Sequence, residues 1–475
     1  MNAKTKKWLK FTVRWGIALF GVIYVLKNIS LHDQVIIPNP VDGRPQYVTL
    51  ALRQGDNYFV VDPETGKQQA VKESTLLTRG ERNRVDIVEQ GKRQSVELLA
   101  MKVTPGLPRH RWPLLVTTPR GFFAKYFDSP LITPARLVDP SLVVDQPWRV
   151  NVEYPLIDAG LGTMVRQADA KFLWASILIF PVTYLLTSYR WYLLLGALSI
   201  KMSAAHAFVI NMVGAFYNTF LPGSTGGDVA KAYYAARQNP GQRTRAVMSV
   251  LVDRVIGLLA LVLLGGSMAW YQYSQIGNPH DATAHACLRV AVGSGVILVG
   301  TLVGLTVFYT PFLRRISGLG WLITKLPMQR QLLKAIEVME IYRQRPMLVL
   351  WALLITLPVH ITVVLSAMFA GQALGLPIRP TFYWVVVPVC VLSGSLPVSP
   401  QGAGVMEFFA ILLTRREGAS VSQAVALTMS IRIVQILWNC AGGYFVLRGH
   451  FHAPTEKEAA ELNEPDAKMS EAGAT

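Results

Sequence analysis

The chain has 475 residues, of which 51% are hydrophobic and only 16% are charged. Because the apolar residues form long runs, this composition excludes an ordinary soluble protein and indicates a polytopic membrane protein. The net charge of +17 does not indicate nucleic-acid binding, since the Lys and Arg residues flank the apolar runs and no groove-reading or zinc motif accompanies them.

The N-terminal residues predict a first membrane span that is not cleaved. Several lysines precede an apolar run from about Trp15 to Leu26, and no small-residue cleavage site follows this run. We therefore predict a cytoplasmic basic segment and a first transmembrane helix within residues 1–29.

Residues 30–170 carry charges of both signs and short β-type pieces, such as those at 47–52 and 58–61, separated by turn sequences. Prolines recur between residues 105 and 134. We predict a small β-rich insert with a Pro-rich extension, which is extracytoplasmic if the first helix spans outward.

Two of the later apolar segments are interrupted in a similar way. One break runs from Leu221 through Pro222 to Asp228, and the other runs from Leu396 through Pro397 to Gly404. Non-helical backbone at membrane depth is tolerated only where it is buried in protein or lines a polar cavity. The paired breaks therefore predict a polar site between two related halves.

Loop charges favour re-entry at the first break. If residues 204–221 crossed the membrane fully, the basic residues within 231–245 and 314–345 would lie outside, against the positive-inside rule. A hairpin over 204–228 that enters and leaves on the cytoplasmic side avoids this. The second break would then open from the opposite face. The predicted fold class is an all-α integral membrane bundle with two inverted re-entrant broken helices, plus a small β-rich extracytoplasmic insert.

The membrane domain is predicted to span residues 171–448 and to be followed by a disordered cytoplasmic tail, 449–475, which is polar and rich in Glu and Ala. The loop 310–346 alternates apolar residues with cations. An interfacial helix on an anionic leaflet and a solvated basic connector both fit this pattern.

Ionisable residues inside the membrane segments are candidate site residues, because each costs about 2.5 to 3.5 kcal/mol on insertion scales. They are Arg190, Asp228, Lys231, Asp253, Arg254, Glu407 and Arg432. The cations outnumber the carboxylates, so full pairing still leaves a positive site suited to a phosphate. Arg190 and Lys231 also fit interfacial anchors, and Asp253 with Arg254 also fits an internal ion pair.

Asp228 follows Gly226 and Gly227 at the predicted start of a helix. Glycine permits close backbone approach, and the free N–H groups of a helix N-terminus attract anions such as a lipid phosphate. A role for Asp228 as a helix cap alone does not explain the two glycines. Ser224 and Ser399 fit either headgroup contacts or partners for the broken backbone, and Asn211 and Asn218 each fit a polar path or a helix bridge.

Motifs for catalysis or cofactor binding are not found. The His residues show no metal-ligand spacing apart from His450 and His452, and no GxSxG, Walker-type or paired-carboxylate arrangement occurs. We expect no cofactor and no metal site, and an enzymatic activity is not favoured.

Several motifs follow one another in order along the membrane domain. They are Leu221-Pro222-Gly223, Gly226-Gly227-Asp228 with Lys231, Asp253-Arg254-Val255-Ile256-Gly257-Leu258, Leu396-Pro397-Val398-Ser399 with Gly402, Gly404 and Glu407, and Arg432. Over about residues 172–447 the chain closely resembles the flippase-like transmembrane domain of lysylphosphatidylglycerol synthases. The resemblance implies movement of aminoacylated phospholipid across the bilayer. It does not imply synthase activity, because only a short polar tail follows the last predicted span.

The chain departs from the family pattern at two places. The family usually has an Arg immediately before the glutamate of the second break, where this chain has Met406, which puts an Arg–Glu pair or phosphate contact there in doubt. The connection between the first two spans is normally short, whereas this chain carries the insert.

These observations predict a flippase-like transporter of a phospholipid or lipid-linked headgroup in the bacterial cytoplasmic (inner) membrane, with both termini in the cytoplasm. Arg254 or Arg432 would hold the phosphate, and Asp228 and Glu407 would orient cationic headgroup atoms or titrate. The expected partners are anionic or aminoacylated phospholipids, with a possible cell-envelope partner at the insert and no nucleic acid. Two alternatives stay open: a membrane-embedded enzyme or accessory subunit that modifies a lipid-linked sugar, and a cell-envelope scaffold acting through the insert.

Overall fold

The computed structural model describes residue 23 and residues 29–62, 65–79, 84–108, 111–117, 135–144, 155–220, 226–276, 282–310, 329–395 and 402–452. The predicted first span lies outside the described residues apart from Ile23, which is helical. The central residues of both Leu-Pro breaks and the residues after 452 also lie outside them.

The N-terminal part of the chain forms an antiparallel sheet of ten strands, separate from the helices. The strands are β1 Gln34–Pro38, β2 Pro45–Gln54, β3 Asn57–Val61, β4 Gln68–Lys72, β5 Leu77–Arg79, β6 Arg84–Glu89, β7 Lys92–Lys102, β8 Leu114–Thr117, β9 Arg136–Val138 and β10 Ile157–Asp158. The main strand order is β4-β3-β2-β1-β5-β7-β8-β9, while β10 pairs with β1 and β6 pairs with β7. The predicted β-type pieces at 47–52 and 58–61 are confirmed within β2 and β3.

Alternating apolar side chains form the core of the sheet. Val96 and Leu98 of β7 are buried and alternate with more exposed neighbours, as the period of two in a strand requires. Part of the region predicted as a Pro-rich extension belongs to the same sheet, since β8 pairs with β7 and β9 pairs with β8. Pro113 immediately precedes β8, where a missing N–H does not interrupt the ladder.

The two ends of the insert lie side by side. Gln34 pairs with Asp158 across the β1–β10 ladder, and the amide of Gly160 donates to Oδ1 of Asp33 at 2.8 Å. The amide of Leu161 donates to the carbonyl oxygen of Ser30 at 3.0 Å. The chain therefore leaves the helical part and returns to it at nearly the same point.

The remainder of the described chain is helical. The helices are α1 Leu161–Arg166, α2 Ala170–Ile179, α3 Pro181–Ala197, α4 Ala204–Phe220, α5 Gly226–Gln238, α6 Arg243–Gln275, α7 Ala282–Tyr309, α8 Gln329–Arg343, α9 Pro346–Ala373, α10 Tyr383–Ser395, α11 Val405–Thr414 and α12 Val421–Phe445. Five stretches among them are long and apolar enough to cross a membrane. They are Ala170–Ala197, Pro240–Gln275, Thr283–Val307, Pro346–Ala373 and Val421–Arg448. The chain is a multi-pass membrane protein.

Helices α4 and α5 form an antiparallel pair, which we call the first helix pair. Gly214 and Gly227 lie at their crossing, where a Cβ on Gly227 would come within 2.2 Å of the carbonyl oxygen of Gly214. At the open end, Nε2 of His206 lies 2.6 Å from Nε2 of Gln238. The two helices are therefore in contact at both points along the pair.

Helices α10 and α11 form the second helix pair, which is also antiparallel. A Cβ on Gly402 would lie 2.3 Å from the Cα of Gly394, so glycine is needed near the closed end. At the open end, the guanidinium of Arg379 donates to both carboxylate oxygens of Glu417 at 2.7 and 2.6 Å. This bidentate pair joins the residues just outside the two helices.

Candidate functional site

A cavity of about 410 Å³ lies among the helices. Its walls come from α3, α4, α5, α6, α9, α10, α11 and α12, so both helix pairs contribute to it. The lining includes three cations and two carboxylates, which are Arg190, Lys231, Arg254, Asp228 and Asp253. If all five are ionised, the wall carries one positive charge in excess.

Three of these groups form a buried triad. Nε of Arg190 donates to Oδ1 of Asp253 at 2.7 Å, and Nζ of Lys231 donates to Oδ2 of the same carboxylate at 3.0 Å. The side chains of both cations are only 6% exposed. One carboxylate therefore serves two buried cations, contributed by α3, α5 and α6.

Neutral neighbouring groups contact both cations of the triad. Nζ of Lys231 lies 4.2 Å from the ring centroid of Trp191, a cation–π contact, and the indole N–H of Trp191 donates to Oγ of Ser249 at 3.1 Å. Nη1 of Arg190 donates to Oγ1 of Thr356 at 2.9 Å. These contacts are neutral, so the positive charge of the triad is not cancelled.

Arg254 connects the two helix pairs. It forms an ion pair with Asp228 at the start of α5, and its Nη2 donates to the carbonyl oxygen of Ser395 at 2.9 Å, at the end of α10. The carbonyl groups at a helix C-terminus lack intrahelical partners and attract cations. Arg254 therefore lies between the closed ends of the two pairs.

Gly227 has a packing role that the sequence interpretation did not include. The glycines before Asp228 were expected to let a ligand approach the backbone, whereas Gly227 lets α5 approach α4. Gly227 also lines the cavity, together with Asp228. Gly226 begins α5 and is not among the lining residues.

A second part of the wall is polar but uncharged. The hydroxyl of Tyr184 donates to Oδ1 of Asn439 at 2.6 Å, and Nδ2 of Asn439 donates to Oγ1 of Thr219 at 2.7 Å. Nδ2 of Asn211 donates to Oγ1 of Thr187 at 3.2 Å. Oγ1 of Thr183 is buried and has no hydrogen-bond partner among the described residues.

Of the neutral polar residues that line the cavity, sequence analysis considered only Asn211 and Asn218. A signal was available in their spacing. Thr183, Thr187 and Arg190 recur at intervals of four and three, which places them on one face of α3. Gln435 and Asn439 likewise share a face of α12 and line the cavity.

Glu407 and Arg432 lie together but are not among the lining residues. Nη1 of Arg432 lies 2.8 Å from Oε1 of Glu407, whose other oxygen accepts from the amide of Gly404 at 2.7 Å. Thr428 also donates to Glu407, at 3.1 Å. The contacts attach α11 to α12, while the adjacent Met406 does line the cavity.

The structure thus brings Arg190, Asn218, Gly227, Asp228, Lys231, Asp253 and Arg254 to one cavity. Ser224 and Ser399 lie outside the described residues. Their contact with a headgroup, and that of Glu407 and Arg432, stay predictions.

Comparison with known proteins agrees with the resemblance seen in the motifs. The family described as Lysylphosphatidylglycerol synthase TM region matches residues 159–443. The chain belongs to this family. The match begins directly after β10, so it excludes the β-sheet and includes the whole cavity wall.

A UPF0104 membrane protein of Pyrococcus horikoshii is 24% identical over 176 residues, which are 36% of this chain and 48% of that protein. The chain therefore spans about half the length of this curated relative. No solved structure matches the chain.

Proposed function

We propose that this member of the lysylphosphatidylglycerol synthase TM region family moves an amphiphilic lipid between the leaflets of the bacterial inner membrane. The observation that carries the proposal is the cavity, which both helix pairs line and which has an excess of positive charge at membrane depth. Ionisable groups inside membrane segments are costly and commonly mark a substrate path, so their presence here supports transport.

In this proposal the two helix pairs are re-entrant and enter from opposite faces of the membrane. The antiparallel packing within each pair supports this arrangement, as does the position of Arg254 between their closed ends. The positive-inside rule then places the open end of the first pair in the cytoplasm and the β-sheet outside.

The lipid headgroup occupies the cavity while its acyl chains stay in the bilayer. Its phosphate lies near Arg190, Lys231 and the N-terminus of α5, where N–H groups and the helix dipole favour an anion. The bridge from Asp228 through Arg254 to Ser395 holds the closed ends of the two helix pairs together beside the cavity. The headgroup passes only while this arrangement of the two pairs is kept.

Reconstituted vesicles test the proposal. Purified protein in liposomes with a fluorescent phospholipid should expose inner-leaflet label to a membrane-impermeant quencher faster than empty liposomes do. Asp228→Asn should slow this movement about tenfold, because a charge-assisted hydrogen bond of the bridge is worth about 1.5 to 3 kcal/mol. Glu340→Gln is the matched control, since Glu340 pairs with Arg343 on an exposed face. Equal rates in the Asp228→Asn variant and the parent would contradict the proposal.

A further inference from the structure

The cavity wall has a charged part and a neutral part, and together they restrict the headgroup. The charged part is formed by the triad with Asp228 and Arg254. The neutral part is formed by hydroxyl and amide side chains of α3, α4 and α12, as described above. A ligand that fills the cavity contacts both.

The charged part does not suit a cationic headgroup. Asp253 already accepts from two cations, and Asp228 is paired with Arg254. An added ammonium group would have to displace a bound cation or lie beside an excess positive charge, and like charges at contact distance repel strongly where water is scarce. An anionic phosphate, in contrast, supplies the negative charge that the triad lacks.

The neutral part suits a headgroup that carries several hydroxyl groups. Hydroxyls and side-chain amides each offer donors and acceptors, which matches the two roles of an alcohol or sugar hydroxyl. Thr183 provides a buried hydroxyl that no described residue satisfies, and a buried polar group without a partner is rare in native proteins. Thr183 lines the cavity, and because Thr in a helix occupies two χ1 rotamers, rotation about χ1 would bring this hydroxyl to a ligand hydroxyl in the cavity.

We propose that the substrate is an anionic lipid whose phosphate carries a polyhydroxyl group, and not an aminoacylated lipid. This inference rests on the proposed transport function. The polyol can belong to a phosphatidyl-polyol or to a sugar joined through phosphate to a long-chain isoprenoid. The two share the chemistry that the wall recognises.

Native mass spectrometry of the detergent-purified full chain tests the preference. The probes are phosphatidylglycerol, phosphatidylinositol, a mannosyl phosphoprenol, phosphatidic acid, phosphatidylcholine and lysyl-phosphatidylglycerol. We expect the first three to bind more tightly than phosphatidic acid, and lysyl-phosphatidylglycerol to bind less tightly than its unmodified parent. Whichever of the first three binds most tightly identifies the source of the polyol. Equal or tighter binding of lysyl-phosphatidylglycerol overturns the inference.

Thr183→Val separates recognition of the polyol from recognition of the phosphate. This change keeps the shape of the side chain and breaks no side-chain hydrogen bond among the described residues. It should weaken binding of the preferred polyol lipid about three- to tenfold, since one hydrogen bond is lost, and leave phosphatidic acid unchanged. Equal loss for both lipids contradicts the inference.

The vesicle assay keeps the two proposals apart. Selective binding of an anionic polyol lipid without movement of any labelled lipid would refute transport and leave the headgroup inference intact. Movement of lipid with a preference for lysyl-phosphatidylglycerol would support transport and refute the headgroup inference.

Discussion

Arg254 illustrates how much one side chain contributes to the arrangement of the helix pairs. Its guanidinium reaches a carboxylate of one pair and a backbone carbonyl of the other. A guanidinium offers five N–H donors in a fixed plane, whereas an ammonium group is a compact point charge on a flexible stem. We therefore expect the position to need Arg, and not only a positive charge.

Substitution of Arg254 should separate these two requirements. We expect Arg254→Ala to slow lipid movement at least about tenfold, and Arg254→Lys to restore no more than part of the rate, because Lys does not reproduce the two-sided bridge. The vesicle assay measures both variants. Full activity of Arg254→Lys would show that charge alone suffices there.

The triad makes a prediction about stability. Asp253→Asn leaves Arg190 and Lys231 buried without a counter-charge, and such a loss costs about 3 to 5 kcal/mol. We expect a large fall in the melting temperature in detergent. Lys231→Met keeps the pair of Arg190 and Asp253 and should cost less. Adding Lys231→Met to Asp253→Asn should recover part of the loss, and no recovery would mean that Lys231 has another partner.

The sequence singled out the five charged residues that line the cavity, because charges inside apolar runs are conspicuous, but it also singled out Glu407 and Arg432, which do not line it. It did not predict how they pair. Sequence analysis considered an internal ion pair at Asp253 and Arg254 that locks helices together, but it named no partner residues. In the structure Asp253 pairs with α3 and α5, while Arg254 pairs with Asp228.

At the scale of elements, the helices were largely predictable and their contacts were not. Long apolar runs predict where helices occur, but the approach of α4 to α5 depends on Gly214 and Gly227, which lie on different helices and whose contact no apolar pattern reveals. The hydroxyl and amide wall was missed for a related reason. It is assembled from three helices, and each contributes only two or three neutral polar residues.

Gly227→Ala tests the close approach within the first helix pair. The new Cβ would meet backbone at 2.2 Å, so α5 must shift, and we expect loss of stability together with slower lipid movement. Gly295→Ala in α7 is the matched control, since a Cβ there meets nothing within 4 Å. Alanine also has a higher helix propensity than glycine, so the control should be neutral or slightly stabilising. Similar behaviour of the two variants would argue against the packing role.

The second helix pair is joined at its open end by the bidentate ion pair between Arg379 and Glu417. The carboxylate side chain is 2% exposed while the guanidinium is 55% exposed, so removing the cation leaves a buried charge. We expect Arg379→Ala to cost about 1 to 2 kcal/mol after allowance for solvent around the guanidinium. Hydrogen–deuterium exchange should rise in α10 and α11 and stay unchanged in α4 and α5. An equal rise in exchange in both helix pairs would exclude a local role for the Arg379–Glu417 ion pair.

At the scale of the whole molecule, the β-sheet should be separable from the membrane part. Its ends pair with each other, and the family match starts only at residue 159. We expect a chain in which a short Gly linker replaces residues 34–158 to insert into membranes, to melt near the parent's temperature and to move lipid in the vesicle assay. Loss of lipid movement with unchanged folding would assign the insert a part in transport.

The meeting of the insert's two ends also bears on how such a chain can arise. A segment that leaves and re-enters a framework at one point can be gained, lost or exchanged in a single genetic event without moving the helices around it. The membrane framework and the sheet are then free to diverge at different rates. Relatives that share the cavity can carry unrelated modules, or none, at the position between Asp33 and Gly160.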